Sequence, residues 1–174
     1  RADEPAPPPR AVVIAPPPPA PQDLVPLAPS PNVTGLSIPS GTEAGIYADT
    51  ERHGIASPSA LCLDEQGRVL VSETLRLQFG VEDNRNHRYW LLDDIASTTT
   101  ADRRALHEKW NDKVSTASLS DRSEQVRILV DADGDGAADQ STVFADGFND
   151  VLDGAAGGVF SFQGTVYFAC IPHI

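Results

Sequence analysis

The sequence predicts a mainly β chain: an incomplete β-propeller of about one and a half blades, with one helical insertion and a disordered, proline-rich N-terminus. Three observations lead to this prediction. Thirteen of the 15 prolines lie in residues 1–39. Residues 40–174 contain short strand patterns separated by turn residues. The motif Gln-Gly-x-Val occurs at 66–69 and again at 163–166, and such an internal repeat is typical of repeat folds.

Residues 1–39 are predicted to be a disordered linker. The proline runs at 7–9 and 16–19 favour polyproline II, which has no internal hydrogen bonds. A semi-rigid spacer that holds a folded domain away from a membrane or wall is one interpretation. A docking site for a proline-binding module is the alternative.

Residues 40–174 are predicted to be the N-terminal part of a propeller. Strand patterns occur at 61–63, 69–71, 126–130, 141–145, 159–162 and 165–170. The first two flank the turn Asp64–Gly67, where glycine supplies a positive φ. Without the insertion, the first four strands span about 50 residues, the size of one blade. The last two strands would begin the next blade.

The segment 75–121 is predicted to be a helical insertion. Thr99 and Asp102 have the spacing of a capping box, with Asp in place of the usual Glu or Gln. Leu106, Trp110 and Val114 recur every four residues and would share one helical face. These signals predict a helix from Ala101 to Val114 that covers an edge or one end of the β structure.

The charge balance excludes several classes of partner. The chain has a formal net charge of -12, with 13 Lys and Arg against 25 Asp and Glu. Nucleic acids and anionic membrane surfaces both require a basic face. No apolar run has the length of a membrane span. The chain contains no methionine and begins at Arg1, which indicates a processed chain or a fragment and fits export.

The segment 131–139 carries the clearest chemical motif. Carboxylates occupy loop positions 1, 3, 5 and 9, with glycine at position 6: Asp131, Asp133, Asp135, Asp139 and Gly136. This is the start of a Ca²⁺-binding loop, and the Ala137 carbonyl would add one more oxygen. Thr142 replaces the usual glutamate at position 12, and strands flank the loop. The prediction is therefore a structural Ca²⁺ site in a β-hairpin, with a solvated acidic turn as the alternative.

Two loops contain candidate catalytic residues. His87 could be a general base or a ligand, and Arg76 or Arg85 could bind an anion. Asp153, in the link to the last hairpin, could line a central cavity. The alternatives are an insertion ordered by its own hydrogen bonds and a link shaped by side-chain-to-backbone turns.

The two cysteines carry no metal or haem motif. Cys62 and Cys170 could form one disulfide, but neither belongs to a Cys-x-x-Cys or Cys-x-x-Cys-His arrangement. Buried structural thiols are the default interpretation.

A set of motifs over residues 50–174 resembles a known family. The segments that carry the resemblance are 54–58, 71–74, 80–94, 108–110, 133–136, 144–149 and 170–173. They are similar to the N-terminal propeller region of the bacterial membrane-bound dehydrogenase-like proteins, also called PVC-type haem-binding proteins. That propeller is in turn similar to soluble quinoprotein glucose and sorbosone dehydrogenases.

The resemblance implies a function and a location. It implies an exported protein of the periplasm or cell envelope that oxidises sugars or related alcohols. Electrons would pass to haem c in a cytochrome domain that follows further propeller blades, and pyrroloquinoline quinone is the cofactor of the quinoprotein relatives. The chain alone would be inactive. The alternative is a non-catalytic cell-surface propeller module that binds glycan or protein and contains a structural Ca²⁺ loop.

Overall fold

The structure, a computed structural model, describes residues 44–77 and 79–173. The predicted linker at 1–39 lies outside the described residues. The strands are β1 (Pro58–Leu63), β2 (Val69–Glu73), β3 (Glu124–Val130), β4 (Gln140–Phe148), β5 (Ala156–Phe162) and β6 (Thr165–Cys170). The helices are α1 (Thr50–His53), α2 (Leu91–Ala96), α3 (Thr100–Lys109) and α4 (Thr116–Leu119), with 3-10 turns at Asn84–Asn86 and Arg88–Trp90. All six predicted strands are present.

The first four strands form one antiparallel sheet in the order β1-β2-β3-β4. Leu61 pairs with Val71, and Val71 pairs in turn with Arg127. Each strand is bonded to its neighbour in sequence, so the sheet is a simple meander. The sequence prediction of a mainly β fold is confirmed at this level.

The last two strands form a separate hairpin that repeats the first one. β5 and β6 are joined by Gln163 and Gly164, whose φ values are 50° and 75°. Positive φ at both central residues is the geometry of a two-residue hairpin turn whose twist matches the strands. Gly67 takes a φ of 77° at the same place in the motif. The repeated Gln-Gly-x-Val motif therefore lies at the turn of both hairpins, although the first turn, closed by Leu63 and Val69, is longer than the second, closed by Phe162 and Thr165.

The core lies on both faces of the four-stranded sheet. On one face, Leu70, Val126 and Ile128 are buried under side chains of the hairpin, which are Val159, Val166 and Phe168. On the other face, Val71, Leu129 and Ala138 are covered by Tyr47, Ala48 and Ile55. The sheet is thus enclosed between the hairpin and the segment before β1.

The opposite face of the hairpin is open. Phe160 is 56% exposed, Phe162 52% and Tyr167 46%. In β5 the exposed rings alternate with the inward-facing Val159 and Ser161, which follows from the two-residue period of a strand.

The segment between β2 and β3 carries three of the helices. α3 begins with a capping box, in which Thr99 accepts from the N–H of Asp102 while Asp102 accepts from the N–H of Thr99. The prediction that this helix extends to Val114 is wrong, because it ends at Lys109 and Trp110 is its C-cap. The Asn111 side chain accepts from the backbone N–H of Thr116 at 2.9 Å, so it serves the start of α4. None of the helices in the described ranges is sufficiently long and apolar to cross a bilayer.

Candidate functional site

A cavity of about 270 Å³ lies at one end of the β structure, under α3. Its walls are mostly apolar and come from five segments: the turn at 80–82, α3, Leu119 at the end of α4, the link 151–154, and the end of the hairpin at 171–172. The polar side chains that line it are those of Glu82, Thr100, Arg103, His107 and Asp153. A concave apolar site with a few converging polar groups is the usual form of a small-molecule site.

The entrance turn of the cavity is held by one carbonyl. The backbone N–H groups of Phe79, Gly80 and Val81 all donate to the carbonyl of Arg76, at 2.9, 2.7 and 3.1 Å. This tight turn directs Glu82 towards the cavity. A side chain at position 80 would collide with the Leu119 carbonyl, so the turn requires glycine there.

Glu82 is hydrogen-bonded to the candidate base His87. Oε2 of Glu82 lies 2.6 Å from Nε2 of His87, and Nδ1 of the same ring lies 2.8 Å from the hydroxyl of Tyr89. The imidazole also packs on Trp90, with ring centroids 4.4 Å apart. His87 therefore has two placed partners, which its sequence context did not reveal.

α3 supplies the only cationic side chain among the described residues that line the cavity. Arg103 contacts the carboxylate of Asp94, and burial lowers the pKa of its guanidinium. His107, one turn further, is buried, and burial followed by the charge of Arg103 lowers its pKa. His107 is therefore neutral at pH 7, and Glu82 and Asp153 outnumber Arg103 as charges on the wall.

Asp153 lies in the wall of this cavity. Its side chain is 1% exposed and accepts from the backbone N–H of Asp150 at 2.8 Å. Nε2 of His173, which follows β6, lies 3.7 Å from its Oδ1. The link and the end of the hairpin therefore place a carboxylate beside an imidazole at this wall.

Arg76 lies behind the cavity wall and does not line it. It is fully buried, and its Nη2 donates to the carbonyls of Gly80 and Leu119 at 3.1 and 2.8 Å. Nε and Nη1 have no hydrogen-bond partner among the described residues. The side chain shapes the turn from inside, so it does not offer the accessible anion-binding group that the sequence suggested.

Glu124 joins the two sheets next to Arg76. Its Oε1 accepts from the backbone N–H of Arg76 at 2.6 Å and from the Thr74 hydroxyl at 3.3 Å. Its Oε2 accepts from the backbone N–H of Ala156 at 3.0 Å. This buried carboxylate ties the end of β2 to the start of β5, and so fixes the back of the cavity.

Arg85 points to solvent. Its side chain is 90% exposed and its guanidinium donates to both oxygens of Asp83. These bonds lower the pKa of Asp83 to about 2. The Arg85 guanidinium, which the sequence suggested as an anion-binding group, is therefore already paired with Asp83.

The acidic loop between β3 and β4 brings three of its four aspartates together. Carboxylate oxygens of Asp131, Asp133 and Asp139 lie within 4.8 Å of one another. Asp135 does not belong to this group, and its Oδ1 accepts from the backbone N–H of Ala137 at 2.8 Å. The donors are hard oxygens, which suit Ca²⁺. Burial and the charge of Asp131 raise the pKa of the neighbouring Tyr47.

Both cysteines are thiols in the structure. Cys62 is half-buried, and burial raises the pKa of its thiol. Cys170 is buried, and its Sγ donates to the carbonyl of Gly154 at 3.5 Å. Cys62 and Cys170 therefore do not form a disulfide in this structure.

The sequence did not single out Arg103, His107 or His173. Arg103 and His107 lie four positions apart, which places them on one face of a helix, and this was the available signal. That this face would meet Glu82 and Asp153 depends on tertiary packing that local patterns do not encode.

Comparisons with known proteins give one match. The profile of a family described as "Domain of unknown function (DUF7133)" matches residues 28–166. No curated protein and no solved structure matches the chain.

Proposed function

The chain belongs to the DUF7133 family, and from this premise we propose that it forms the N-terminal part of an exported β-propeller dehydrogenase whose cavity binds a sugar or a related alcohol. The periplasm or cell envelope is the proposed location. Haem c and further blades would belong to parts of the protein outside this chain. The chain's own role is then to provide scaffold and a binding site, and it is inactive alone.

The observation that carries the proposal is the repeat of the hairpin. We interpret the four-stranded antiparallel meander and the hairpin packed on its face as one blade and the start of the next. The rings of Phe160, Phe162 and Tyr167 would then face a further blade. Ligand sites in β scaffolds lie at strand ends, and the cavity is at such an end.

The cavity wall favours an uncharged, polyhydroxylated ligand. Glu82 and Asp153 accept hydrogen bonds from hydroxyl groups, and Arg103 donates to them. Since the two carboxylates outnumber the guanidinium, an anionic ligand would be repelled. A volume of about 270 Å³ suits one sugar ring.

The residues present do not provide the redox cofactors. Covalent haem attachment requires Cys-x-x-Cys-His, which the sequence lacks. The quinoprotein resemblance would place a catalytic histidine just before the last hairpin, but residues 153–158 contain none. We therefore assign no oxidation step to this chain.

Binding of D-glucose and glycerol, measured by NMR titration, tests the cavity. Arg103→Met should weaken glucose binding about tenfold, because loss of a charged hydrogen bond costs about 1.5–3 kcal/mol. Arg104→Met is the matched control: Arg104 is the next residue of α3 but pairs with Asp150 outside the cavity lining. Equal affinities of the two variants would contradict the proposal.

A second function is favoured by an aromatic pair at the surface. Tyr89 is 41% exposed, Trp110 is half-buried, and their ring centroids lie 5.0 Å apart beside α3. A non-catalytic module would hold a polysaccharide on such rings. Affinity electrophoresis in glycan gels distinguishes the two functions: Tyr89→Ala would abolish retardation and Arg103→Met would not. Tyr167→Ala, a similarly exposed tyrosine, is the control.

We further propose that the acidic loop binds a structural Ca²⁺. Asp131, Asp133 and Asp139 would supply the carboxylates and the Ala137 carbonyl a fourth oxygen, and the ion would relieve their mutual repulsion. Ca²⁺ should raise the unfolding temperature, and Asp133→Asn should abolish the effect. Asp146→Asn, outside the group, is the control. A shift that persists in Asp133→Asn would refute the site.

A further inference from the structure

Three side chains form a continuous hydrogen-bonded row from the cavity to the protein surface. Glu82 lines the cavity, the side chain of His87 is 14% exposed, and Tyr89 is 41% exposed. The two links measure 2.6 Å from Glu82 to His87 and 2.8 Å from His87 to Tyr89. Both are short enough for proton transfer along a hydrogen bond.

For a neutral imidazole, the two partners of His87 determine which ring nitrogen carries the proton. An ionised carboxylate only accepts, so Nε2 of His87 carries a proton and donates it to Glu82. In the neutral ring Nδ1 then has a lone pair, and the Tyr89 hydroxyl donates to it. His87 and Tyr89 thus each hold one proton that points along the row towards the cavity, and the Glu82 carboxylate holds none.

We propose that Glu82, His87 and Tyr89 form a proton-transfer chain that connects the cavity with the solvent. The Tyr89 hydroxyl takes a proton from water while its own proton passes to Nδ1 of His87. The proton on Nε2 passes to the carboxylate of Glu82. In the net reaction one O–H bond of hydronium breaks and one O–H bond forms at Glu82. His87 ends in its other neutral tautomer and Tyr89 is unchanged. No electron is transferred.

The proton-transfer chain has a function only if a ligand occupies the cavity, so the inference rests on the proposed function. The side chain of Glu82 is 29% exposed, and a bound ligand would separate it from water on the cavity side. The row through His87 would then remain as its route for proton exchange. Trp90 packs against His87 with the two ring planes tilted by 41°.

Other charged groups near His87 do not interrupt the row. Asp83 is near His87 in sequence, but its side-chain hydrogen bonds go to Arg85. His107 lies beyond Trp90, at 5.8 Å between ring centroids, and is neutral at pH 7. The groups that face the imidazole directly remain Glu82 and Tyr89.

Exchange of the Nε2 proton of His87 with solvent, measured by NMR on ¹⁵N-histidine-labelled protein, tests the chain. This proton can leave a neutral ring only when another arrives at Nδ1, and Tyr89 covers Nδ1. Tyr89→Phe keeps the ring packing and removes only the hydroxyl. It should slow the exchange about tenfold or more, since a positioned acid contributes at least that factor.

Glu82→Gln gives the second arm. The amide oxygen still accepts from Nε2 but takes up no proton, so exchange should slow by a similar factor. Tyr167→Phe is the matched control and should leave the rate unchanged; His87→Gln assigns the signal. If the hydrogen bonds only hold the loop together, both Tyr89→Phe and Glu82→Gln would loosen it, and exchange would be unchanged or faster. That result would overturn the inference.

The ligand-free measurement separates this inference from the proposed function. Slowed exchange in both Tyr89→Phe and Glu82→Gln, with no glucose binding, would support the proton-transfer chain and refute the proposed sugar site. Glucose binding with unchanged exchange in both variants would support the sugar site and refute the proton-transfer chain.

Discussion

Replacing Glu124 by glutamine should strongly destabilise the protein, because this one side chain holds two sheets together. The carboxylate is completely buried and accepts backbone N–H groups from Arg76 and Ala156, one at each oxygen. Glutamine has the same shape, but its amide nitrogen is a donor. One of the two N–H groups would therefore face another donor in the protein interior.

The structure allows the loss to be estimated. One hydrogen bond to a charged acceptor disappears, at a cost of about 1.5–3 kcal/mol, and the other becomes a neutral bond weaker by about 1 kcal/mol. We expect a loss of about 3 kcal/mol in the free energy of unfolding. For a chain of this size that corresponds to a fall of about 6–12 °C in Tm.

Urea unfolding followed by the fluorescence of Trp90 and Trp110 measures the loss. Glu108→Gln makes the same chemical change on the exposed side of α3 and should change stability by less than about 0.5 kcal/mol. A Glu124→Gln loss below about 1 kcal/mol would refute the reasoning, because it would mean that the carboxylate does not carry these bonds.

Two further predictions concern the cavity wall. His107 has a pKa lowered from 6.5 by burial, so the unfolded chain binds its proton first and stability should fall as the pH drops below 6.5; His107→Phe should flatten urea midpoints measured between pH 7 and 5. A slope equal to that of the natural chain would contradict this. Gly80→Ala would place a Cβ 2.7 Å from the Leu119 carbonyl and should cost about 1–3 kcal/mol in unfolding free energy. Gly158→Ala, which meets no atom within 4 Å, is the control, and equal losses would show that the turn adapts.

Local signals in the sequence predicted local structure well. The capping box of Thr99 and Asp102 forms as expected, because both partners lie within one helical turn. The end of that helix was predicted wrongly. The apolar period runs on to Val114, but the Asn111 side chain accepts from the backbone N–H of Thr116 at the start of the next helix. Hydrophobic spacing shows which face is buried, but it does not show where competing side-chain bonds stop a helix.

In the candidate sites, too, the local spacing of residues could be read from the sequence, but the contacts between distant segments could not. The aspartate spacing predicted a site formed by all four aspartates of 131–139, yet only Asp131, Asp133 and Asp139 come together and Asp135 does not. The cavity could not be predicted, since Glu82, Arg103 and Asp153 come from segments that only the packing of α3 brings together. His87 was recognised as a candidate, but its two partners became visible only in three dimensions.

The contact between Arg76 and Gly80 has an evolutionary consequence. The guanidinium fills the space that a side chain at position 80 would need, so the two positions are not independent. In descendants of this sequence, position 80 should accept a larger residue only after position 76 has become smaller and the Leu119 carbonyl has moved. The two sites should then vary as a linked pair, and the order of substitutions should be fixed by sterics.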